Sequence, residues 1–210
     1  MKNNLSFREF YKRRLPHIQI AGATYFITFR LANSLPIEAI DKLAEEKQKI
    51  NELPGNQKQA AYQAWFAKYD DYLDKALQGN LYLKNEQIAD MVAASIQFRH
   101  EKAYDLISCC IMPNHVHLVC TPLAKSNGTY FGLTEILHSL KRHTAREANK
   151  ILQRNGTFWQ DESYDHYTRD HEEWLRTIRY ILNNPVKAGL VKEWQEWRWN
   201  WRREETAGAG

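Results

Sequence analysis

The apolar residues of this chain recur with spacings that predict an alternation of strands and helices. The segment ATYFITFRL, residues 23–31, alternates and is rich in aromatic and β-branched residues, which predicts a strand. AYDLISCCIM and HVHLVCTP, residues 103–112 and 115–122, predict two more strands. Because a Met-Pro-Asn turn joins these two segments, we expect them to form a hairpin.

Apolar residues at helical spacing predict three helices that surround this hairpin. They cover NEQIADMVAASIQFRH (85–100), GLTEILHSLKRHTAREANKILQR (132–154) and DHEEWLRTIRYILNN (170–184). Asp170 and Glu173 have capping-box spacing at the start of the last helix, and Pro185 is expected to end it. This order predicts an α+β fold, in which an antiparallel β-sheet has helices packed on one face.

Three other segments differ from this core in composition. Ala, Glu, Lys, Gln and Asp dominate from Pro36 to Asn80, and a Pro-Gly turn at residues 54–55 divides that stretch into two predicted helices. We interpret residues 37–80 as a helical insertion in a single domain of residues 1–210. Residues 1–22 predict a basic arm or a short helix, and residues 193–210 form a tail rich in Trp and Arg.

Composition indicates a globular protein with a mild preference for anionic partners. The chain has 210 residues, 43% of them hydrophobic, and a net charge of +4. Its three cysteines, Cys109, Cys110 and Cys120, form no Cys-x-x-Cys pair, so we expect reduced thiols in the core of a cytoplasmic protein. The longest apolar run, Leu106–Met112, is too short to span a bilayer, and no membrane association is expected.

Candidate chemistry begins with His115 and His117 in the third predicted strand. Residues two apart in a strand point to the same face, so the two imidazoles should lie side by side, with Val116 and Leu118 on the opposite face in the core. This spacing suits two ligands of one divalent metal ion. The alternative is a pair of hydrogen-bonded polar residues on an edge strand.

A second candidate lies on the last helix. Its apolar stripe is formed by Trp174, Leu175, Ile178, Ile181 and Leu182. Tyr180 falls well away from this stripe, and Asn184 follows it by about one turn. We therefore expect the Tyr180 hydroxyl to be free to react, with the Asn184 amide oxygen pointing in the same direction.

These motifs together resemble a known family. PNHVHLV (113–119), followed by a helical tyrosine in YILNNPVKAGLV (180–191), is similar to the HUH single-tyrosine transposases of insertion sequences, and within them to the REP-associated tyrosine transposases. RRLPHIQIAGATYFITFRL (13–31) and FWQDESYDHYTRD (158–170) are also similar to that subgroup. The resemblance leaves the insertion unmatched and implies a ferredoxin/RRM-like core.

The resemblance implies a metal-dependent enzyme that cleaves and rejoins single-stranded DNA through a covalent 5′-phosphotyrosine. It assigns the nucleophile to Tyr180 and the metal ligands to His115, His117 and Asn184, although many relatives carry Gln at the last position. We expect Mg²⁺ or Mn²⁺ as cofactor, palindromic hairpin DNA as partner, and a monomer or homodimer. Two alternatives stay open: a domesticated protein that binds DNA hairpins without cleaving them, and a hydrolase that uses water. Tyr164 and Tyr167 compete as nucleophiles.

Basic residues mark three candidate DNA-binding surfaces. The predicted contacts are Arg142, Arg146 and Lys150, which recur every four residues on one helix, Lys12, Arg13 and Arg14 in the N-terminal arm, and Arg198 and Arg202 in the tail. A solvated helix face is the alternative for the first group. The tail tryptophans Trp197, Trp199 and Trp201 would either stack on bases or pack on the protein.

Overall fold

The computed structural model describes residues 7–13, 15–75, 79–168 and 170–204, with side chains from Ile20 onward. The strands are β1 (Phe7–Arg13), β2 (Leu15–Ile20), β3 (Tyr25–Arg30), β4 (Tyr104–Ile111), β5 (His115–Pro122), β6 (Tyr164–Tyr167) and β7 (Asn200–Arg202). The helices are α1 (Ile37–Glu52), α2 (Gly55–Lys75), α3 (Glu86–Arg99), α4 (Leu133–Ile151) and α5 (His171–Lys187).

The core of the fold is a five-stranded antiparallel sheet in the order β6-β3-β5-β4-β7. The predicted strand at residues 23–31 is confirmed as β3, and the predicted hairpin is confirmed as β4 and β5. β5 lies at the centre of the sheet, where Thr28 of β3 and Cys110 of β4 flank His117 in register. The α+β fold with an antiparallel sheet is therefore confirmed.

Helices cover both faces of this sheet, so the prediction of helices on one face is incomplete. α3 and α4 cover the face that carries Ile27, Val116 and Leu118. α1, α2 and α5 cover the opposite face, where they pack against Phe26 and Val119. The physical reason is that alternate residues of β3, β4 and β5 are apolar on both sides, and strands of that kind require burial on both faces.

The insertion is helical, as predicted, and breaks at the Pro54-Gly55 turn. The Trp65 indole of α2 donates to the Leu43 carbonyl of α1 at 2.9 Å, which ties the two helices together. α2 in turn packs on the sheet, because the Phe66 ring meets Phe26 of β3 edge-on at 5.1 Å. The insertion is thus fastened to the face of the sheet that carries the histidines.

Both ends of the chain differ from the simplest sequence expectation. The N-terminal segment pairs as the antiparallel hairpin β1–β2, and not as an arm or a short helix, because each strand supplies backbone hydrogen-bond partners for the other. In the tail, β7 extends the sheet by pairing with β4. The tail tryptophans pack on the protein: Trp197 donates to the Ile111 carbonyl at 3.0 Å, and Trp199 donates to Asp90 Oδ1 at 2.9 Å.

Two smaller expectations concern the cysteines and the membrane. Cys109, Cys110 and Cys120 are buried and free of disulfides, as expected of small core residues. In the part of the chain described above, no helix combines the length and the apolar character that crossing a bilayer requires.

α5 begins where the sequence predicts but ends later. The Asp170 side chain accepts a hydrogen bond from the Glu173 amide at 2.8 Å, which confirms the predicted cap. Pro185 does not end the helix. It is a buried residue inside α5, which continues to Lys187. The end is made by Gly189, whose φ of +70° is left-handed. This geometry lets the amide after Gly189 reach back to the Pro185 carbonyl at 2.8 Å, as in a Schellman motif.

Replacing Gly189 by Ala should lower the free energy of unfolding by about 1 kcal/mol, because a Cβ disfavours left-handed backbone. Nothing lies within 4 Å of the added methyl group, so a steric clash would not contribute. Gly55→Ala is the matched control: it is also in open space but in helical backbone, and should leave stability unchanged or raise it by at most about 0.5 kcal/mol. Urea unfolding of both variants checks this, and equal stabilities would contradict the proposed helix end.

Candidate functional site

His115 and His117 lie side by side on one face of β5, as predicted. Both side chains are fully buried, and their Nε2 atoms approach to 2.8 Å. Val116 and Leu118 point to the opposite face, where α3 and α4 pack. The alternative of an edge strand is wrong, since β5 is flanked by β3 and β4.

Hydrogen bonds fix the orientation of the first imidazole. The Asn114 amide nitrogen donates to the Leu73 carbonyl of α2 at 2.8 Å, which leaves its oxygen facing His115 Nδ1 at 2.6 Å. An amide oxygen can only accept, so His115 Nδ1 carries the proton and Nε2 is left with a free lone pair. On the other imidazole, Nδ1 lies 2.8 Å from the Thr28 hydroxyl.

Both imidazoles are neutral at neutral pH. Burial is the main cause that lowers the pKa of His115 and of His117 well below the ordinary value, because a charged ring would lose its hydration. Phe26 stacks on the His117 ring at 5.6 Å and closes one side of the pair. The two neutral rings can therefore offer nitrogen lone pairs to a cation.

α5 brings Tyr180 and Asn184 to the histidine pair. Asn184 is buried, with its Nδ2 atom 2.7 Å from His117 Nε2, while its Oδ1 atom has no hydrogen-bond partner in the described part of the chain. Tyr180 is partly buried beside them, and its ring centroid is 6.5 Å from that of His117. The structure thus brings together the four residues that the sequence singles out.

One functional candidate was missed by sequence reasoning, and it lies in the insertion. Asp70 of α2 is fully buried. Its Oδ1 atom is 3.3 Å from His117 Nε2 and 4.0 Å from His115 Nε2, and no residue that the structure describes donates a hydrogen bond to it. Asp70, His115 and His117 each place a potential ligand atom within 4.8 Å of the others. A sequence signal was present, since Asp70 follows the buried Phe66 by four residues and is thus an acidic residue on the apolar face of a helix.

Asp70 also changes the expected state of the tyrosine. The Tyr180 hydroxyl is not free, because it donates a hydrogen bond to Asp70 Oδ2. Burial, followed by the negative charge of Asp70, raises the pKa of Tyr180 above its ordinary value. The phenol is therefore held in its protonated form.

The predicted DNA-binding residues are spread over the surface and differ in their partners. Arg142, Arg146 and Lys150 are exposed on α4, where Glu147 binds Arg146 at 2.8 Å and Lys150 at 3.0 Å. Contact between these side chains and DNA stays a prediction.

The other two basic groups are only partly described. In the tail, Arg198 binds Asp90 at 2.6 Å, and Arg202 lies 5.3 Å from the centroid of the Trp194 ring. Arg14 lies outside the described residues, as do the side chains of Lys12 and Arg13, whose backbone belongs to β1.

The two competing tyrosines, and His166 between them, have partners within the protein. Tyr164 of β6 stacks on Phe66 at 4.0 Å, and its neighbour along the same strand face, His166, bonds Glu173 at 2.8 Å. Tyr167 pairs in register with Tyr25 of β3. In this structure none of the three contacts His115 or His117 among the described ring and hydrogen-bond contacts, whereas Tyr180 does.

Comparisons with known proteins agree with this geometry. A putative REP-associated tyrosine transposase of Haemophilus influenzae is 29% identical over 101 residues, which cover 45% of this chain and 56% of the relative. The REP-associated tyrosine transposase of Escherichia coli is 22% identical over 104 residues, covering 50% and 58%. The aligned segment thus spans little more than half the length of either curated relative.

Among solved structures, the chain is similar in fold to a REP-associated tyrosine transposase bound to a REP hairpin. The TM-score is 0.50 at 17% sequence identity, and the match covers 92% of this chain and 82% of that one.

The model of the family described as "Transposase IS200 like" matches residues 72–184. The matched segment includes both histidines, Tyr180 and Asn184, and it begins two residues after Asp70. Since it spans more than half of the 210 residues, the chain belongs to the IS200-like transposase family.

Proposed function

We propose that this protein is a metal-dependent transposase that cleaves and rejoins single-stranded DNA through Tyr180. The observation that carries the proposal is the meeting of α5 and β5, where Asn184 contacts His117 at 2.7 Å beside the tyrosine ring. Residues far apart in sequence thus form one buried cluster with the groups that a transesterification requires.

The residues fit a divalent ion, which we propose to be Mg²⁺ or Mn²⁺. Asp70 Oδ1 is buried, faces the histidines and has no hydrogen-bond partner among the described residues, and an unsatisfied buried oxygen is costly unless a cation binds it. His115, His117 and Asn184 would hold the ion, with a half-turn of the Asn184 amide directing its oxygen toward the histidines. When bound, such an ion would withdraw charge from the oxygens of a phosphodiester.

Tyr180 supplies the nucleophile in this proposal. Its oxygen forms a bond to phosphorus while the bond from phosphorus to the 3′ oxygen breaks. The DNA 5′ phosphate is then joined to tyrosine, the phenol has lost its proton, and the departing 3′ oxygen takes up a proton to become a hydroxyl. Because a phenol is a tolerable leaving group, a 3′ hydroxyl can reverse the step without an external energy source.

Burial gives the site a further property that suits a covalent intermediate. Among the four residues, His115, His117 and Asn184 are at most 1% exposed and Tyr180 is partly buried, so little water has access to the three proposed ligands. Excluding water protects a phosphotyrosine from hydrolysis until the second DNA end arrives. The proposed product is therefore a rejoined strand and not a hydrolysed one.

We propose a DNA hairpin with a single-stranded flank as the substrate. The supporting facts are the REP-associated relatives and the fold that this chain shares with a protein bound to a REP hairpin. The exposed basic residues of α4 provide charge for a phosphate backbone. The non-cleaving binder and the hydrolase are less favoured, because Tyr180, both histidines and Asn184 are all present and converge.

Tyr180→Phe should abolish the covalent protein–DNA band that forms when hairpin DNA is incubated with Mn²⁺, a loss of more than about 1,000-fold because the variant has no nucleophilic oxygen. DNA binding should persist, since the ring remains. Tyr164→Phe is the matched control and should leave the band intact. Cleavage without an adduct would instead identify the hydrolase, and binding without cleavage by the unmodified protein would identify the binder.

Arg142→Gln should weaken binding to single-stranded DNA and reduce the slope of log affinity against log salt by about 0.7, the value for one lost phosphate contact. Among the residues that the structure describes, Arg142 has no acidic partner within salt-bridge distance, whereas Arg146 is bound by Glu147. Arg146→Gln should therefore have a smaller effect. Electrophoretic titrations at several salt concentrations check this, and equal slopes for all three proteins would contradict the α4 surface.

A further inference from the structure

We propose that Asp70 is a working part of the catalytic centre, in which one carboxylate oxygen binds the same divalent ion as His115 and His117 and the other holds the Tyr180 hydroxyl. This inference rests on the proposed function and adds to it a residue from the insertion. Asp70 would thus join the metal ligands to the nucleophile through a single side chain.

The two oxygens of Asp70 have different surroundings. Oδ2 accepts from the Tyr180 hydroxyl and lies 3.4 Å from Asn184 Nδ2. Oδ1 receives no hydrogen bond from any described residue and faces the Nε2 nitrogen of His117 at 3.3 Å. Oδ1 and the two imidazole nitrogens lie close enough together to bind one metal ion. Carboxylate and imidazole ligands commonly share one ion in this way.

The charge of Asp70 has no cation of its own among the described residues. The two imidazole nitrogens that face Oδ1, at 3.3 and 4.0 Å, are ligands of the ion in this proposal and not cationic partners of the carboxylate. Lys187 is the nearby ammonium, but it binds Asp74 at 2.9 Å and lies 4.0 Å from Asp71. A fully buried carboxylate without a paired cation is strongly destabilising, and a divalent ion held by Asp70, His115 and His117 would compensate its charge.

A purely structural role for Asp70 would explain its hydrogen bond with Tyr180 but not its negative charge or its unpaired Oδ1 atom. The hydrogen bond from Tyr180 requires only an acceptor, which an asparagine oxygen would provide without a buried charge. The negative charge and the unpaired Oδ1 have a use only if a cation binds. This difference between Asp and Asn is what an experiment can measure.

α2 also supports the histidines at a second point. The Leu73 carbonyl, three residues after Asp70, receives the Asn114 amide that orients His115. α2 therefore determines the tautomer of one imidazole and supplies a carboxylate to the same centre. The insertion is in this respect a component of the site and not only a cover over it.

The test compares Asp70→Asn with Asp71→Asn in the full-length protein, using Mn²⁺ alone as the probe. Asp71 is the next residue, and its half-exposed carboxylate binds Lys75 at 2.7 Å, so its loss removes a charge of the same sign outside the centre. Mn²⁺ affinity is measured by calorimetry, and the melting temperature is measured in EDTA and in saturating Mn²⁺. The rate of adduct formation on hairpin DNA is measured separately at saturating Mn²⁺.

Asp70→Asn should lower Mn²⁺ affinity at least about tenfold, as expected when a ligand or its support is lost. In EDTA it should melt at or above the temperature of the unmodified protein, because it removes an uncompensated charge, while the rise in melting temperature on adding Mn²⁺ should shrink. The adduct should also form at least about tenfold more slowly, because the phenol is no longer held by a carboxylate. Asp71→Asn should match the unmodified protein in all three measurements.

Three outcomes would overturn the inference: Mn²⁺ affinity within twofold of the unmodified protein, a lower melting temperature in EDTA, or an unchanged rate of adduct formation at saturating Mn²⁺. The first excludes a ligand, the second indicates a structural residue, and the third excludes a role in holding Tyr180. The proposed function is judged apart from these, since it fails if the unmodified protein forms no adduct, whereas Mn²⁺ affinity is measured without DNA.

Discussion

The two-residue repeat of a strand is the constraint on which this structure depends. β5 places Val116 and Leu118 on one face of the sheet and His115 and His117 on the other. The first face is an ordinary core under α3 and α4. The second must also be covered, because Phe26 and Val119 share it with the imidazoles. α5 covers that face, and its packing brings Tyr180 and Asn184 to the histidines. The same helix packing therefore buries the apolar side chains and assembles the candidate site.

The same burial creates an electrostatic conflict at the centre of the protein. Two imidazoles lose their charge, a phenol keeps its proton, and a carboxylate is left among them with one unpaired oxygen. Each of these states is the expected consequence of removing a polar group from water. A cluster of this kind costs stability without a cation, and it would bind one strongly for the same reason. Active sites commonly lower stability in this way, because the groups that bind or react cannot all be satisfied within the protein.

Local periodicity predicts the parts of the site that lie within one element. The shared face of His115 and His117 follows from strand geometry, and the spacing of Tyr180 and Asn184 follows from one helical turn. The contact between these elements depends on how α5 docks, which no short-range pattern contains, and the family resemblance supplied that expectation. Asp70 escaped prediction for the same reason: an acidic residue in line with Phe66 is visible in the sequence, but its meaning appears only when α2 lies on the sheet. Pro185 misled because its ring also fits helical backbone, and the left-handed Gly189 was the better signal for the helix end.

Most of α2 lies outside the segment that matches the family model, yet α2 contacts the candidate site. The segment that matches the family model begins at residue 72, after most of α2, and therefore does not include Asp70. α2 nevertheless bonds Asn114 through Leu73 and Tyr180 through Asp70, so it contacts the turn before the histidines and the helix that carries the tyrosine. α1 supports this arrangement from behind, because the Leu43 carbonyl fixes Trp65 of α2. A segment that only covered the sheet would not need to bury a carboxylate at this cost in free energy, and that cost is the strongest argument for the role that we propose for Asp70.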